Sequence, residues 1–295
     1  MAIYIEGGDL AGKTILGRKL AKRLGIPFLH RRDRGPNMSR LLLALARHRC
    51  AVVDRWWPSE WIYRTAEGQV PNLNLPELWS MNLLAERTGA VYVQLEPDEA
   101  KIMLRYAERG EAIPLAEVLV IHGHYQLQNP IWWDYLPATR LVNPKIPTII
   151  QTYEARLAQA QAYPGFGIGS LTPDVLFVGE KLNPRAGLSD ALPFFSIQNK
   201  GACKSLYTIL HGAGLRPSRV HLHNAYTQRG GPLLTTAIVT HLQPRRIIAM
   251  GNEASARLQA LGVSYQGHIP HPAWITRFDI GNLDHWITKV KELIA

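Results

Sequence analysis

The stretch that most constrains this chain is residues 3–24. An apolar run, Ile3-Tyr4-Ile5, enters a glycine-rich turn, and an amphipathic helix pattern follows. Inside the turn, Gly7-Gly8-Asp9-Leu10-Ala11-Gly12-Lys13-Thr14 satisfies G-x-x-x-x-G-K-[ST], the phosphate-binding loop. Its glycines let consecutive backbone N–H groups point at one anion, and the next helix adds the partial positive charge of its N-terminus. Lys13 is expected to reach the β- and γ-phosphates of ATP, and the Thr14 hydroxyl to ligate Mg²⁺. The loop identifies a nucleotide-phosphate site. It leaves the acceptor open.

Around this loop, residues 1 to about 160 alternate between strand and helix patterns, the α/β signature. A helix over 14–24 ends at Gly25, and a strand over 26–30 runs into the basic segment Arg31-Arg32-Asp33-Arg34. The buried strand Ala51-Val52-Val53 ends in Asp54-Arg55, with Trp56, Trp57 and Trp61 close behind. These tryptophans either stack on a base or fill the core. Further helices are expected over 77–88, 97–109, 122–128 and 146–161, with a strand over 90–95. Residues 162–173, AYPGFGIGSLTP, concentrate Gly, Pro and Ser and read as a linker between domains. Beyond it, strand and helix patterns alternate again, which predicts a second open parallel sheet.

The chain has 295 residues, a length that favours two domains, and a net charge of +10, which suits a polyanionic partner such as DNA. Its two cysteines, Cys50 and Cys203, have no metal-ligand spacing. With neither a membrane-length apolar run nor a signal peptide, a soluble cytoplasmic protein is expected, in host cytoplasm if viral.

Glu6-Gly7-Gly8-Asp9-Leu10-Ala11-Gly12-Lys13-Thr14 resembles the E-G-x-D-G-x-G-K-[ST] loop of thymidylate kinases, with Leu10 where that family usually has glycine. Asp54-Arg55 is similar to the family's D-R motif, and Arg31-Arg32 to its acceptor-phosphate segment. The strand 91–95 with the following Arg105 and Arg109 is similar to its arginine-bearing lid. The resemblance implies a P-loop nucleoside-monophosphate-kinase-like domain over 1–161. In it Lys13, Arg55, Arg105 and Arg109 surround the transferring phosphoryl group, while Asp9 and Asp54 hold Mg²⁺ or orient the attacking oxygen.

The second half resembles the uracil-DNA glycosylase superfamily. The resemblance is carried by Val178-Gly179-Glu180-Lys181-Leu182-Asn183-Pro184, Pro193-Phe194-Phe195-Ser196, His223-Asn224-Ala225, Ala249-Met250-Gly251-Asn252-Glu253-Ala254 and His271-Pro272. It implies an α/β/α base-recognition domain over 174–295. Asn183 or Glu180 stands where the family activates water. Phe194 or Phe195 would be the stacking platform, Asn224 would read the base, and His271 would donate to O2. Ala273 replaces the serine of the family's H-P-S. Lys181, Arg185, Lys200, Lys204, Arg216 and Arg219 are candidate phosphate contacts.

Together the two resemblances and the charge imply an ATP- and Mg²⁺-dependent kinase acting on a uracil-type base in DNA. The acceptor implied is the hydroxyl of 5-hydroxymethyluracil, as in the DNA kinases of viral thymidine hypermodification. The alternatives are a dTMP-like monophosphate kinase with a DNA-binding domain, and a glycosylase or modified-base sensor with an accessory nucleotide site.

Overall fold

The computed structural model describes residues 2–30, 50–70, 74–110, 113–126, 136, 139–181 and 201–295. The chain divides into two compact units, one of residues 1–73 and 88–158, the other of residues 74–87 and 159–295.

The first unit contains β1 (Ala2–Glu6), α1 (Lys13–Leu24), β2 (Phe28–His30), β3 (Ala51–Asp54) and α2 (Trp57–Ala66). After α3 (Leu75–Arg87), which belongs to the second unit, it continues with β4 (Val91–Gln94), α4 (Glu99–Arg109), α5 (Leu115–Gln126) and β5 (Arg140–Val142), and α6 (Ile146–Ala162) leads out of it. The strands form one parallel sheet in the order β2-β3-β1-β4-β5. β1, β3 and β4 are buried along their whole length, as near-continuous apolar runs in a parallel sheet require. On one face Ile3, Ile5, Val52, Val91 and Val93 pack with Leu20 and Ala21 of α1 and Ile149 and Tyr153 of α6. This packing fixes α1 across the ends of β1 and β3, so the loop between β1 and α1 opens at the carboxyl edge of the sheet.

Trp56 and Trp57 are fully buried, and the Trp56 ring stacks on Tyr4 of β1 at 4.0 Å and 7°. Both are core residues, which removes them as base-stacking candidates. The expected helix over 122–128 is observed earlier, as α5, and β5 had no counterpart in the sequence reading. Arg31 and Arg32 lie outside the described residues.

The second unit comprises α3, β6 (Ile168–Gly169), β7 (Val175–Gly179), α7 (Ala202–Gly212), β8 (Val220–Asn224), α8 (Thr236–Leu242), β9 (Arg246–Met250), α9 (Asn252–Ala260), β10 (Gly267–Ile269), α10 (Pro272–Phe278) and α11 (Leu283–Ile294). Its sheet order is β10-β9-β7-β8-β6. Four strands are parallel and β6 runs antiparallel to β8, so the sheet is mixed rather than purely parallel. The Gly/Pro-rich stretch expected as a linker supplies that edge strand and buries Tyr163, Ile168 and Leu171 in this unit. Gly169 is there for close approach: at φ 119° its Cα lies so near β8 that a Cβ would sit 2.2 Å from the Val220 carbonyl.

Helix α3 is started by a reciprocal cap. Glu77 N–H donates to Asn74 Oδ1 at 3.1 Å and Asn74 N–H to Glu77 Oε2 at 3.0 Å. The helix buries Trp79 against Tyr207 of α7, ring centroids 5.6 Å apart. From the central strand β7, the chain steps to one side for β8 and returns to the other for β9 and β10. The carboxyl ends of β7 and β9 therefore flank a topological switch point, where doubly wound sheets open a crevice. No helix among the described residues is long and apolar enough to cross a membrane.

Candidate functional site

In the first unit, the loop closes on itself through Lys13. This lysine is buried, and its Nζ donates to the carbonyls of Gly7 and Gly8, both at 2.7 Å. Burial, with the Arg55 charge adding to it, lowers its pKa to about 8. Leu10, at the position where glycine was expected, takes the left-handed conformation at φ 65°. Its side chain is held by Ile102 of α4 and Val118 of α5, and this burial offsets the strain of a non-glycine residue there. Arg105 of α4 donates to the Leu10 carbonyl at 2.6 Å.

Asp54 ends β3 fully buried. Its Oδ2 accepts from the Thr14 hydroxyl at 2.7 Å and faces His30 Nδ1 at 2.9 Å. Oδ1 is also buried and has no partner among the described residues. A hydroxyl beside a carboxylate with an unused oxygen is a hard-oxygen donor set that fits Mg²⁺. Arg55 follows in a left-handed conformation, φ 72°, and donates to Asp9 Oδ1 at 2.6 Å. The Tyr63 hydroxyl donates to that same oxygen at 2.7 Å, and the guanidinium lies 4.9 Å from the Tyr63 ring centroid. Asp9 thus holds Arg55 rather than facing the pocket.

Glu6, at the end of β1, is buried beneath this cluster. It accepts from Trp56 N–H, the Ser59 hydroxyl and the Tyr125 hydroxyl, the last at 2.8 Å. Burial raises its pKa, and these donors oppose the rise. The carboxylate anchors the turn that carries Arg55. One pocket collects Leu10, Gly12, Lys13, Thr14, Ile15, His30, Asp54, Arg55 and Arg109. Of the residues expected from sequence, Lys13, Thr14, Asp54, Arg55 and Arg109 meet there, while Asp9 and Arg105 support it from behind. Sequence reasoning missed His30, Tyr63 and Glu6 as parts of the site. The signal for His30 was its place at the end of the strand next to Asp54-Arg55.

In the second unit, the described candidates gather at the carboxyl ends of neighbouring strands. Glu180 follows β7, and its Oε1 accepts from the Glu253 N–H at the start of α9, 3.3 Å away. Gly251, after β9, makes room for it: at φ 99° a Cβ there would lie 2.2 Å from Glu180 Oε1. His271 follows β10 and caps α10, with Nδ1 accepting from Ala273 N–H at 3.2 Å. Burial lowers its pKa, opposed by Glu180 and Glu253. Asn224 ends β8, 1% exposed, and neither its side-chain oxygen nor its nitrogen has a partner among the described residues. Lys181 pairs with Glu253 at 3.5 Å and Arg219 with Asp174. Asn183, Arg185, Phe194, Phe195 and Lys200 lie outside the described residues.

No family model and no curated protein matches this chain. Solved structures similar to this chain cover about half of it. The YorR protein from Bacillus subtilis in complex with phosphorylated GDP is 18% identical over 55% of this chain and 98% of that chain, with a TM-score of 0.44. A deoxyadenosine kinase from M. mycoides with bound dATP is 14% identical over 54% and 100%, with a TM-score of 0.37. Shikimate kinase from Acinetobacter baumannii in complex with shikimate is 16% identical over 52% and 93%, with a TM-score of 0.33.

Proposed function

We propose that this chain is an ATP-dependent kinase that phosphorylates the hydroxymethyl group of 5-hydroxymethyluracil in DNA. The product would be 5-phosphomethyluracil, as in a step of thymidine hypermodification. In this reading the first unit is the thymidylate kinase-like donor site. Backbone N–H groups of residues 7–14 cradle the phosphates of ATP, and Lys13 leaves the Gly7 and Gly8 carbonyls to meet them. Thr14 and Asp54 hold Mg²⁺, which neutralises charge on the phosphates. Arg55, Arg105 and Arg109 stabilise the transferring phosphoryl group. Asp9 keeps Arg55 in place.

The second unit is read as a uracil-DNA glycosylase-like base-recognition domain, and the observation that carries this is Asn224. A buried amide with no partner among the described residues costs free energy, on the order of 1–3 kcal/mol per group, and this supports a ligand there. Its nitrogen matches O4 of a uracil-type base and its oxygen matches N3–H. Glu180 and His271 flank the same crevice, and the +10 charge suits the DNA backbone. Of the uracil-type bases considered, 5-hydroxymethyluracil carries on its ring a hydroxyl that accepts a phosphoryl group, where thymine has a methyl.

The test is label transfer from γ-labelled ATP, offered free dTMP, thymine-containing DNA and 5-hydroxymethyluracil-containing DNA. Label in the modified DNA alone is expected. Label in dTMP alone would make the chain a monophosphate kinase with a DNA-binding unit. Abasic sites without label would make it a glycosylase.

A further inference from the structure

Helix α1 leaves the phosphate loop with one face on the sheet and the other in solvent. Leu20 and Ala21 are buried on the sheet side, and Leu16 and Leu24 pack against the same cluster. The opposite face carries Ile15, Arg18, Lys19, Lys22 and Arg23, all exposed. At 3.6 residues per turn these five positions share an arc of about 140°. Ile15 is 53% exposed and also lines the pocket with Lys13 and Thr14, so the stripe starts at the pocket rim. From there the four cations form two pairs, one turn or about 6 Å apart.

The helix contains no acid, and among the described residues none of the four cations has an acidic partner. The other described helices with more than one Lys or Arg, α4 and α11, carry two acids each. Lys22 and Arg23 lie in the last turn and suit the helix C-terminus. That reason does not extend to Arg18 and Lys19. Each has a like charge four residues on, Lys22 and Arg23, an arrangement that destabilises a helix and that an outside polyanion relieves. A helix lying on a membrane surface exposes an apolar face, whereas the apolar face of α1 is packed on the sheet. We propose that the exposed face of α1 is a track for a DNA backbone that leads a strand past the phosphate loop, so that the first unit binds DNA itself. The inference rests on the DNA reading above and adds a second surface to it, one that holds backbone phosphates rather than a base.

The experiment compares the full-length protein with a variant carrying Arg18→Gln, Lys19→Gln, Lys22→Gln and Arg23→Gln. A control carries Lys101→Gln, Lys145→Gln, Arg245→Gln and Lys291→Gln, four exposed cations elsewhere. Anisotropy of a fluorescein-labelled 5-hydroxymethyluracil duplex gives the affinity between about 50 and 200 mM salt. Each phosphate contact adds about 0.9 to the slope of log K against log[salt], so the α1 variant should show a slope shallower by about 3–4. Arg18→Gln with Lys19→Gln alone should give about half of that change, and the control less than about 1. A slope of the α1 variant within about 1 of the parent overturns the inference while leaving DNA as a ligand of the protein. A control as shallow as the α1 variant also overturns it, because binding would then follow net charge rather than this face. No DNA binding by the parent overturns the DNA reading and this inference with it. Binding to phosphatidylserine vesicles in place of DNA, lost in the α1 variant, would assign the face to a membrane and overturn the inference.

Discussion

Acid should unfold the second unit through two buried histidines of β8. Both rings are enclosed. His221 Nδ1 lies 2.8 Å from the Ser170 carbonyl and its Nε2 3.0 Å from the Tyr163 hydroxyl. His223 Nδ1 lies 2.6 Å from the Asn224 carbonyl, and its buried Nε2 has no partner among the described residues. Burial is the main cause that lowers the pKa of His221 to about 3 and that of His223 to about 4, with Arg87 and, for His221, the His223 ring adding to it. An unfolded histidine titrates near ~6.5. The folded values lie below that, so the unfolded chain binds more protons, and stability falls as pH drops through ~6.5 towards the folded values. At pH ~5 each unfolded histidine is almost fully protonated and each folded one almost neutral. The cost relative to pH ~8 is ~2 kcal/mol per histidine and ~4 kcal/mol for the pair. That figure barely depends on how far below 5 the folded values lie, and it is a large share of a typical domain stability of ~5–15 kcal/mol. Urea unfolding between these pH values, followed by tryptophan fluorescence, measures it. His223→Asn keeps a donor near the Asn224 carbonyl and removes the titration, so this variant should lose ~2 kcal/mol less than the parent on acidification. Parallel pH profiles for parent and variant would refute the reasoning.

Three further outcomes test individual residues. Lys13→Ala should lower phosphoryl transfer by on the order of 10²–10³-fold while leaving DNA affinity unchanged in a filter-binding assay, as the proposed role of this lysine on the ATP phosphates requires. Asn224→Ala should weaken binding of DNA carrying a uracil-type base by ~10-fold or more relative to unmodified DNA, read by competition with a fluorescent duplex. Leu10→Gly relieves a left-handed residue, worth ~1 kcal/mol, but gives up a buried leucine contact with Ile102 and Val118, worth ~2–3 kcal/mol. It should therefore lower the melting temperature of the first unit, and a rise would show that strain outweighs packing there.

The candidate phosphate site was legible where its residues are contiguous. A phosphate loop is eight consecutive residues, and its strand and helix flank it, so Lys13 and Thr14 could be placed from sequence. Asp54-Arg55 was legible for the same reason, as a pair at a strand end. What pairs with Asp54 was not, because His30 reaches it only through the register of β2 on β3, some two dozen residues apart in sequence. The tryptophans were ambiguous because composition does not say which face of a turn meets the sheet; burial of Trp56 and Trp57, with Trp56 stacked on Tyr4, places those two in the core. Residues 162–173 looked like a linker because Gly and Pro mark flexible chain as often as close approach, and Gly169 is the second kind. Helix α3 was readable as a helix, but its partner Tyr207 lies more than a hundred residues away, so its membership in the second unit was not. In the second unit, Glu180, Asn224 and His271 were singled out by their short motifs, and the observed strand order places them after β7, at the end of β8 and after β10, on the same edge of one sheet.

The proposed acceptor is a hydroxyl on a base within DNA. The most direct measurement is mass spectrometry of nucleosides released from 5-hydroxymethyluracil DNA after incubation with the protein, ATP and Mg²⁺. A deoxynucleoside carrying one added phosphate on its base is expected, absent when thymine DNA is the substrate and absent with Lys13→Ala. Unaltered nucleosides, in a preparation that converts free dTMP to its diphosphate, would contradict it.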